Sequence, residues 1–122
     1  MMADTIFITG LSLHAYHGVM EHEQTVGQTF AIDLVLNIDL SEASRSDKLA
    51  NTVSYDQVVD VVSRAFRAQR YRLVEAAAGA VADAVLAGFP QVSGLRVTVH
   101  KPHAPIAATF MDVGVSIERA RG

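Results

Sequence analysis

Five histidines stand in two groups along the chain, and histidine is both a common zinc ligand and a general base. They are His14, His17, His22, His100 and His103. His14 and His17 would point to opposite faces of an extended strand. Neither group has the two-ligand helical spacing of zinc proteases. Because this spacing does not meet the geometry of a zinc site, we expect surface or loop histidines and no metal.

Lysine is scarce, since Lys48 and Lys101 are the only lysines among ten basic residues. An amine can become neutral and act as a base, whereas a guanidinium stays charged. Lys101 lies at the end of a predicted strand and is therefore a candidate catalytic base. The alternative is an ordinary solvated lysine.

Carboxylates and a tyrosine are further candidates. Glu75 is the only acid in the first two turns of an alanine-rich predicted helix. It either complements the helix N-terminus or accepts a bidentate hydrogen bond from a planar pair of ligand N–H groups. Tyr55 lies in the first turn of the preceding predicted helix, and Glu21 and Glu23 lie in the loop after the first strand. Each of these three would ordinarily be a surface or packing residue.

Charge and cysteine content exclude several classes of function. The chain has 10 basic and 13 acidic residues and a net charge of −3, which gives no attraction to nucleic acid or to an anionic membrane. There are no cysteines, so disulfides, thiolate zinc sites and a cysteine nucleophile are excluded. Without a glycine-rich phosphate loop, four arginines are interpreted as solvated charges near a helix C-terminus: Arg64, Arg67, Arg70 and Arg72.

Length and composition are typical of one globular domain, which we expect to cover residues 1–122. Half of the residues are hydrophobic, and a domain of this size buries only about two thirds of its unfolded surface. Oligomerisation is therefore expected. Residues 1–9 do not resemble a signal peptide, and the apolar stretch 73–89 is interrupted by Glu75 and Asp83. We expect a soluble, cytoplasmic protein.

Alternating apolar residues predict strands at both ends of the chain. In the first strand, at 5–15, the alternation changes phase after Gly10, which indicates a β-bulge. From Gln28 to Leu40 every second residue is apolar, which predicts a long, half-buried antiparallel strand. Two more strands are predicted around 95–99 and 113–117.

Helical spacing occupies the middle of the chain. Ser54-x-x-Gln57 has the form of a capping box and predicts a helix that begins near Ser54. A second predicted helix, from Leu73 to Ala87, is apolar nearly all round and is expected to be buried on several sides. The order ββααββ indicates an α+β fold, with an antiparallel four-stranded sheet and two helices on one face. Other copies of the chain would cover the opposite face and the sheet edges.

Taken together, these residues resemble the dihydroneopterin aldolase family, whose members have the tunnelling fold. The resemblance extends from about Asp4 to Arg119. It implies tetrameric rings whose sheets join edge to edge into a barrel, two rings stacked into an octamer, and active sites between neighbouring subunits. The residues that carry it are Tyr16-His17-Gly18-Val19, Glu23-x-x-x-Gly27-Gln28, Asp39-Leu40-Ser41-Glu42-Ala43, Asp47 with Thr52-Val53-Ser54-Tyr55, Leu73-Val74-Glu75, and Lys101-Pro102 with Asp112-Val113-Gly114-Val115.

The resemblance implies how a pterin would be bound. Glu75 resembles the family's anchor, a carboxylate that binds the amino group and the adjacent N–H of the pterin ring. The backbone of Val74 resembles a neighbouring ring contact, and Val53 resembles an equivalent contact from the adjoining subunit. Val74 stands where leucine is common in the family, a change that a backbone contact tolerates.

It also implies catalytic roles. Lys101 resembles the catalytic lysine, Tyr55 the tyrosine that handles a proton on the intermediate, and Glu23 the carboxylate near the hydroxylated tail of the substrate. The spacing to Gly27-Gln28 selects Glu23 over Glu21.

The implied reaction is the retro-aldol cleavage of dihydroneopterin to hydroxymethyl-dihydropterin and glycolaldehyde, a step of folate biosynthesis. The dihydropterin ring can itself accept the released electron pair, so no cofactor, Schiff base or metal is required. Three alternatives stay open: an epimerase that acts on dihydroneopterin or its triphosphate through the same intermediate, a zinc-dependent pterin enzyme of the same fold superfamily, and a non-catalytic pterin-binding oligomer.

Overall fold

The fold is a single antiparallel sheet of four strands that lie side by side in sequence order, with the two long helices between the second and third strands. The computed structural model describes residues 4–122; residues 1–3 of the N-terminal stretch considered above lie outside it. The elements are β1 (Thr5–Ala15), α1 (Glu21–Val26), β2 (Gln28–Asn37), α2 (Ser41–Ser46), a 3₁₀ helix (Leu49–Asn51), α3 (Tyr55–Arg67), α4 (Val74–Gly88), β3 (Gly94–His100) and β4 (Gly114–Ala120).

The bulge predicted at Gly10 is confirmed, because the pairing of β1 with β2 shifts register between Ile8 and Leu11. Gly10 has φ +71°, a backbone conformation that glycine adopts without a Cβ clash. The predicted strand from Gln28 ends earlier than expected, at Asn37. Two residues further on, the carboxylate of Asp39 accepts the backbone N–H and the hydroxyl of Ser41, which turns the chain into α2.

Both long helices begin close to their predicted positions, and they pack against each other on one face of the sheet. α3 lies over β1, and α4 lies over β3 and β4. Ser54 is the N-cap of α3, but its side chain makes no capping hydrogen bond, so the expected capping box does not form. The expectation that α4 is buried on several sides is also wrong within one chain. Its buried residues form one face, namely Ala77, Ala78, Val81, Ala82 and Val85.

Sequence periodicity missed α1 and α2, because each is only six residues long and so completes less than two turns. α1 directly precedes β2, and its one buried residue is Glu23.

The two faces of the sheet differ in polarity. The face under α3 and α4 is apolar and buried; it includes Phe30, Ile32, Leu34 and Leu36 of β2 with Leu95, Val97 and Val99 of β3. The opposite face carries cross-strand polar pairs such as Thr98–Ser116 and Arg96–Glu118. β1 and β4 form the two edges of the sheet. No helix within residues 4–122 is long and apolar enough to cross a membrane.

Candidate active site

A buried ion pair joins α1 to the end of β3. The Nζ atom of Lys101 lies 2.7 Å from Oε2 of Glu23, and the two side chains are 14% and 3% exposed. Glu23 was expected in a loop and as an ordinary surface residue; the structure places it in α1 and buries it. Two of the three residues to which the family resemblance gave catalytic roles, Lys101 and Glu23, therefore meet within one chain.

Two more groups donate hydrogen bonds to the Glu23 carboxylate, and a glycine leaves room for it. Its Oε1 accepts the Met20 backbone N–H at 3.1 Å, and its Oε2 accepts Nε2 of Gln28 at 3.1 Å. Gly18, at φ +145°, leaves the space that the carboxylate occupies, and a Cβ there would overlap it. The other side-chain atom of Gln28, Oε1, is buried and has no hydrogen-bond partner among the described residues. We call Gly18, Glu23, Gln28 and Lys101 the lysine corner.

The lysine corner keeps Glu23 ionised. Burial alone raises the pKa of Glu23, but the hydrogen bond from Lys101, the Met20 N–H and the charge of Lys101 outweigh it and hold the pKa below the usual 4.5. An ionised Glu23 in turn fixes the position of the Lys101 amine, whose side chain is mostly buried. This arrangement can pass a proton to or from a hydroxyl placed beside Lys101.

His17, the neighbour of Gly18, connects this part of the chain to the end of α3 and the residues that follow it. It is 2% exposed, so the expectation of a surface or loop residue is wrong for this histidine. Its Nδ1 accepts the Tyr71 backbone N–H at 3.0 Å, which leaves the proton on Nε2 for the Phe66 carbonyl at 2.7 Å. Burial lowers the pKa of His17, the Phe66 hydrogen bond opposes this, and the charges of Arg70 and Lys101 lower it further. His17 is therefore a neutral link between two segments.

Two of the arginines near the end of α3 are also more than solvated charges. Arg70 donates through Nε to the Tyr16 carbonyl at 3.0 Å and through Nη2 to the Gly18 carbonyl. Arg67 donates to the His14 carbonyl at 3.3 Å. Together with His17, they attach the connection between α3 and α4 to residues 14–18.

Glu75 lies in the first turn of α4 and is exposed, while Val74 is half-buried. The connection that leads to them is held against the lysine corner, because the Gly18 N–H donates to the Tyr71 carbonyl at 3.0 Å. Glu75 makes no ion pair or side-chain hydrogen bond within residues 4–122, so its carboxylate is open to a ligand. The hydrogen bond between Gly18 and Tyr71 thus joins the connection between α3 and α4 to the lysine corner.

Val53 and Tyr55 lie elsewhere in the chain. They line an open groove of about 470 Å³ beside the 3₁₀ helix, together with Ile6, Leu40 and Leu49. Val53 is buried, whereas Tyr55 is 69% exposed. Within residues 4–122, no hydrogen bond joins Tyr55 to Lys101 or Glu23. The structure therefore does not bring Tyr55 to the lysine corner within one chain.

The candidate site includes residues that sequence reasoning gave no role. Gly18 and Gln28 stood inside recognised motifs, yet their contacts with Glu23 depend on how α1 folds. Within residues 4–122, no group of three or more histidine, aspartate or glutamate side chains is arranged to hold a metal ion.

The chain is similar to known proteins over nearly its whole length. The family model described as FolB, dihydroneopterin aldolase, matches residues 6–118. A dihydroneopterin aldolase of Streptococcus pyogenes is 38% identical over 118 residues, which cover 97% of this chain and 99% of the relative.

Solved structures give the same result. A FolB protein of Vibrio cholerae superposes with a TM-score of 0.91 at 36% identity, over 99% of this chain and 100% of that one. The Escherichia coli dihydroneopterin aldolase in complex with neopterin has a TM-score of 0.87 at 35% identity, over 96% of this chain and 99% of that one.

Proposed function

The chain belongs to the dihydroneopterin aldolase family, and we propose that it cleaves dihydroneopterin to hydroxymethyl-dihydropterin and glycolaldehyde without a metal ion. As a member of this family it is a carbon–carbon lyase of folate biosynthesis. The observation that carries the proposal is the buried Glu23–Lys101 pair. A retro-aldol cleavage needs a base held beside a hydroxyl in a site with little water, and this pair supplies one.

Glu75 binds the pterin ring in this proposal. Its exposed carboxylate can accept two parallel hydrogen bonds from the amino group and the neighbouring N–H of the ring. The backbone of Val74 adds a second ring contact, and Val53 of an adjoining copy adds a third. The link between Gly18 and Tyr71 supports this placement, because it holds the segment that leads to Glu75 against the lysine corner.

The cleavage itself follows from the positions of two proton-carrying groups. Once its ammonium has released a proton to solvent, Lys101 takes the proton from the side-chain hydroxyl, directly or through a water, and the adjacent carbon–carbon bond breaks to release glycolaldehyde. The electron pair of that bond moves into the conjugated C=N of the dihydropterin ring. Tyr55 then protonates the enol-like carbon, and Lys101 returns its proton to solvent while Tyr55 regains one.

Tyr55 would reach the intermediate from a neighbouring subunit. Its separation from the lysine corner within one chain supports a site that lies between copies. The strands β1 and β4 lie at the sheet edges, with exposed apolar residues such as Phe7 in β1 and Val113 just before β4, and they support rings joined edge to edge. We propose a tetrameric ring stacked into an octamer, acting in the cytoplasm.

The same intermediate also allows epimerisation. If glycolaldehyde attacks it again on the opposite face, the product is dihydromonapterin. Tyr55 commits the intermediate to cleavage by protonating it, and this second attack competes with that step. We propose epimerase activity as a minor outcome, on dihydroneopterin or its triphosphate.

The test is an anaerobic incubation of the purified protein with dihydroneopterin and excess chelator, followed by chromatography of the pterins and a glycolaldehyde assay. Hydroxymethyl-dihydropterin with an equal amount of glycolaldehyde is expected. Activity that disappears with chelator and returns with zinc would instead identify a zinc-dependent enzyme. Bound but unchanged substrate would identify a pterin-binding oligomer, and dihydromonapterin as the sole product would identify an epimerase.

A further inference from the structure

His100 lies between two carboxylates on the open face of the sheet. Its Nε2 is 2.7 Å from Oδ2 of Asp33 in β2, and its Nδ1 is 2.5 Å from Oδ2 of Asp112, just before β4. The remaining carboxylate oxygens are also held, since Asp33 accepts the Gly10 N–H at 2.7 Å and Asp112 accepts the Val113 N–H at 2.9 Å. We call His100, Asp33 and Asp112 the histidine clamp.

The clamp needs a protonated imidazole. A neutral histidine donates from one ring nitrogen and offers a lone pair at the other, whereas both of its partners here are acceptors. The hydrogen bonds to Asp33 and Asp112 raise the pKa of His100 above the usual 6.5, and partial burial opposes them. The other neighbours, Gly10 of β1 and Gly114 of β4, carry no charge. When His100 loses this proton, one of its ring nitrogens presents a lone pair to a carboxylate oxygen, and that hydrogen bond is lost.

The clamp is one residue from the catalytic base. His100 is the last residue of β3, paired with Ala31 and Gly114. Because successive side chains point to opposite faces of an extended strand, His100 faces the open side while Lys101 turns toward Glu23. The Lys101 N–H donates to the Val113 carbonyl at 2.7 Å, and Val113 follows Asp112. The clamp thus holds both ends of the 101–113 segment.

We propose that His100 is a positioning residue for Lys101: by donating to both Asp33 and Asp112, it fixes the backbone from which Lys101 reaches Glu23 and the substrate. Deprotonation of His100 releases Asp112, the more exposed partner, and loosens the 101–113 segment. This inference rests on the proposed role of Lys101 in the cleavage.

The first experiment compares His100→Gln with wild type in steady-state cleavage of dihydroneopterin. Glutamine cannot donate to both carboxylates at this geometry, so we expect kcat to fall about ten- to hundredfold, the cost of a small misplacement of a reacting group. KM should change much less, because Glu75 binds the ring. Thermal unfolding shows whether each variant is folded, and Asp83→Asn on α4 is the control. Wild-type kcat in His100→Gln, or a loss confined to KM, would overturn the inference.

Asp112→Asn supplies a specific rescue. The asparagine amide can donate to an unprotonated Nδ1 while Nε2–H donates to Asp33, so the variant clamp closes around a neutral histidine. The ratio of its kcat to that of wild type should therefore rise with pH through the titration of His100. A ratio independent of pH would contradict the proposal.

A titration of the His100 ring by NMR gives a readout that needs no turnover. We expect a pKa above 6.5 in wild type and a lower one in Asp112→Asn. Wild type that fails to cleave dihydroneopterin refutes the proposed function, whereas active wild type with an ordinary His100 titration refutes the clamp alone.

Discussion

The lysine corner and the segment from Val53 to Tyr55 contain the two groups that we propose transfer protons, and they differ in how they are held. At the lysine corner, Glu23 is 3% exposed and bonded to Lys101, Gln28 and Met20. Tyr55 is 69% exposed, and its side chain makes no hydrogen bond within residues 4–122. The proposed base, Lys101, is therefore held in position by contacts within one chain, whereas the proposed proton donor, Tyr55, is exposed on the surface of that chain.

This difference has a physical reason. A charged base keeps a defined position only where burial and hydrogen bonds restrict it, so its supporting residues must belong to the same folded unit. A tyrosine is rigid and mostly apolar, and it loses little conformational entropy when a second surface covers it. Tyr55 is therefore suited to complete a site across an interface.

The largest expected effect is at the lysine corner. Lys101→Arg keeps the charge but removes the base, so kcat should fall by about 10² to 10⁴, the usual contribution of general acid–base catalysis. The matched control is Lys48→Arg, at the only other lysine, which should leave kcat unchanged. Near-normal turnover in Lys101→Arg would mean that Lys101 is not the base.

Mixed subunits show whether Tyr55 and Lys101 of one site come from different chains. Tyr55→Phe and Lys101→Arg should each lower activity when present alone. If the site lies between copies, co-expressed variants form some interfaces with both native residues, and roughly a quarter of the wild-type activity returns for random pairing around a ring. Each variant mixed with itself is the control. If mixing restores no activity, Tyr55 and Lys101 act within the same chain.

A smaller effect is expected from substitution of Glu75, and it should appear in pterin affinity. Glu75→Ala should weaken pterin affinity about ten- to hundredfold, as expected for loss of charge-assisted hydrogen bonds. Isothermal titration with neopterin measures this change. Asp83→Ala, at an exposed acid further along α4, is the matched control. Unchanged affinity in Glu75→Ala would remove the anchor role.

The smallest effect is a pH dependence of stability. The pKa of Glu23 is lower in the folded state than its usual 4.5, so its contribution is fully present above pH 4.5 and is lost as the pH falls through the folded pKa. Glu23→Gln should lower the free energy of unfolding by about 1 to 3 kcal/mol near neutral pH, and the deficit should shrink in acid. Urea unfolding across this range checks it, and a deficit that grows in acid would contradict the assignment.

Much of the candidate site could be predicted, but only as separate residues. The motif resemblance selected Glu23, Lys101 and Glu75, and the structure brings the first two together. The sequence could not show that Glu23 is buried, that Gly18 makes room for its carboxylate, or that His17 is a neutral link to Tyr71. These properties depend on the packing of distant segments against one another.

By itself, the sequence determined the features that a few consecutive residues specify. The alternation along β2, the helical spacing of α3 and the glycine at the β1 bulge each reflect a local backbone preference, and all three are confirmed. Only the tertiary structure decided which side chains become partners. His100 meets Asp33 and Asp112, and Lys101 meets Glu23, because neighbouring strands set the register and the pleat sends successive residues to opposite faces.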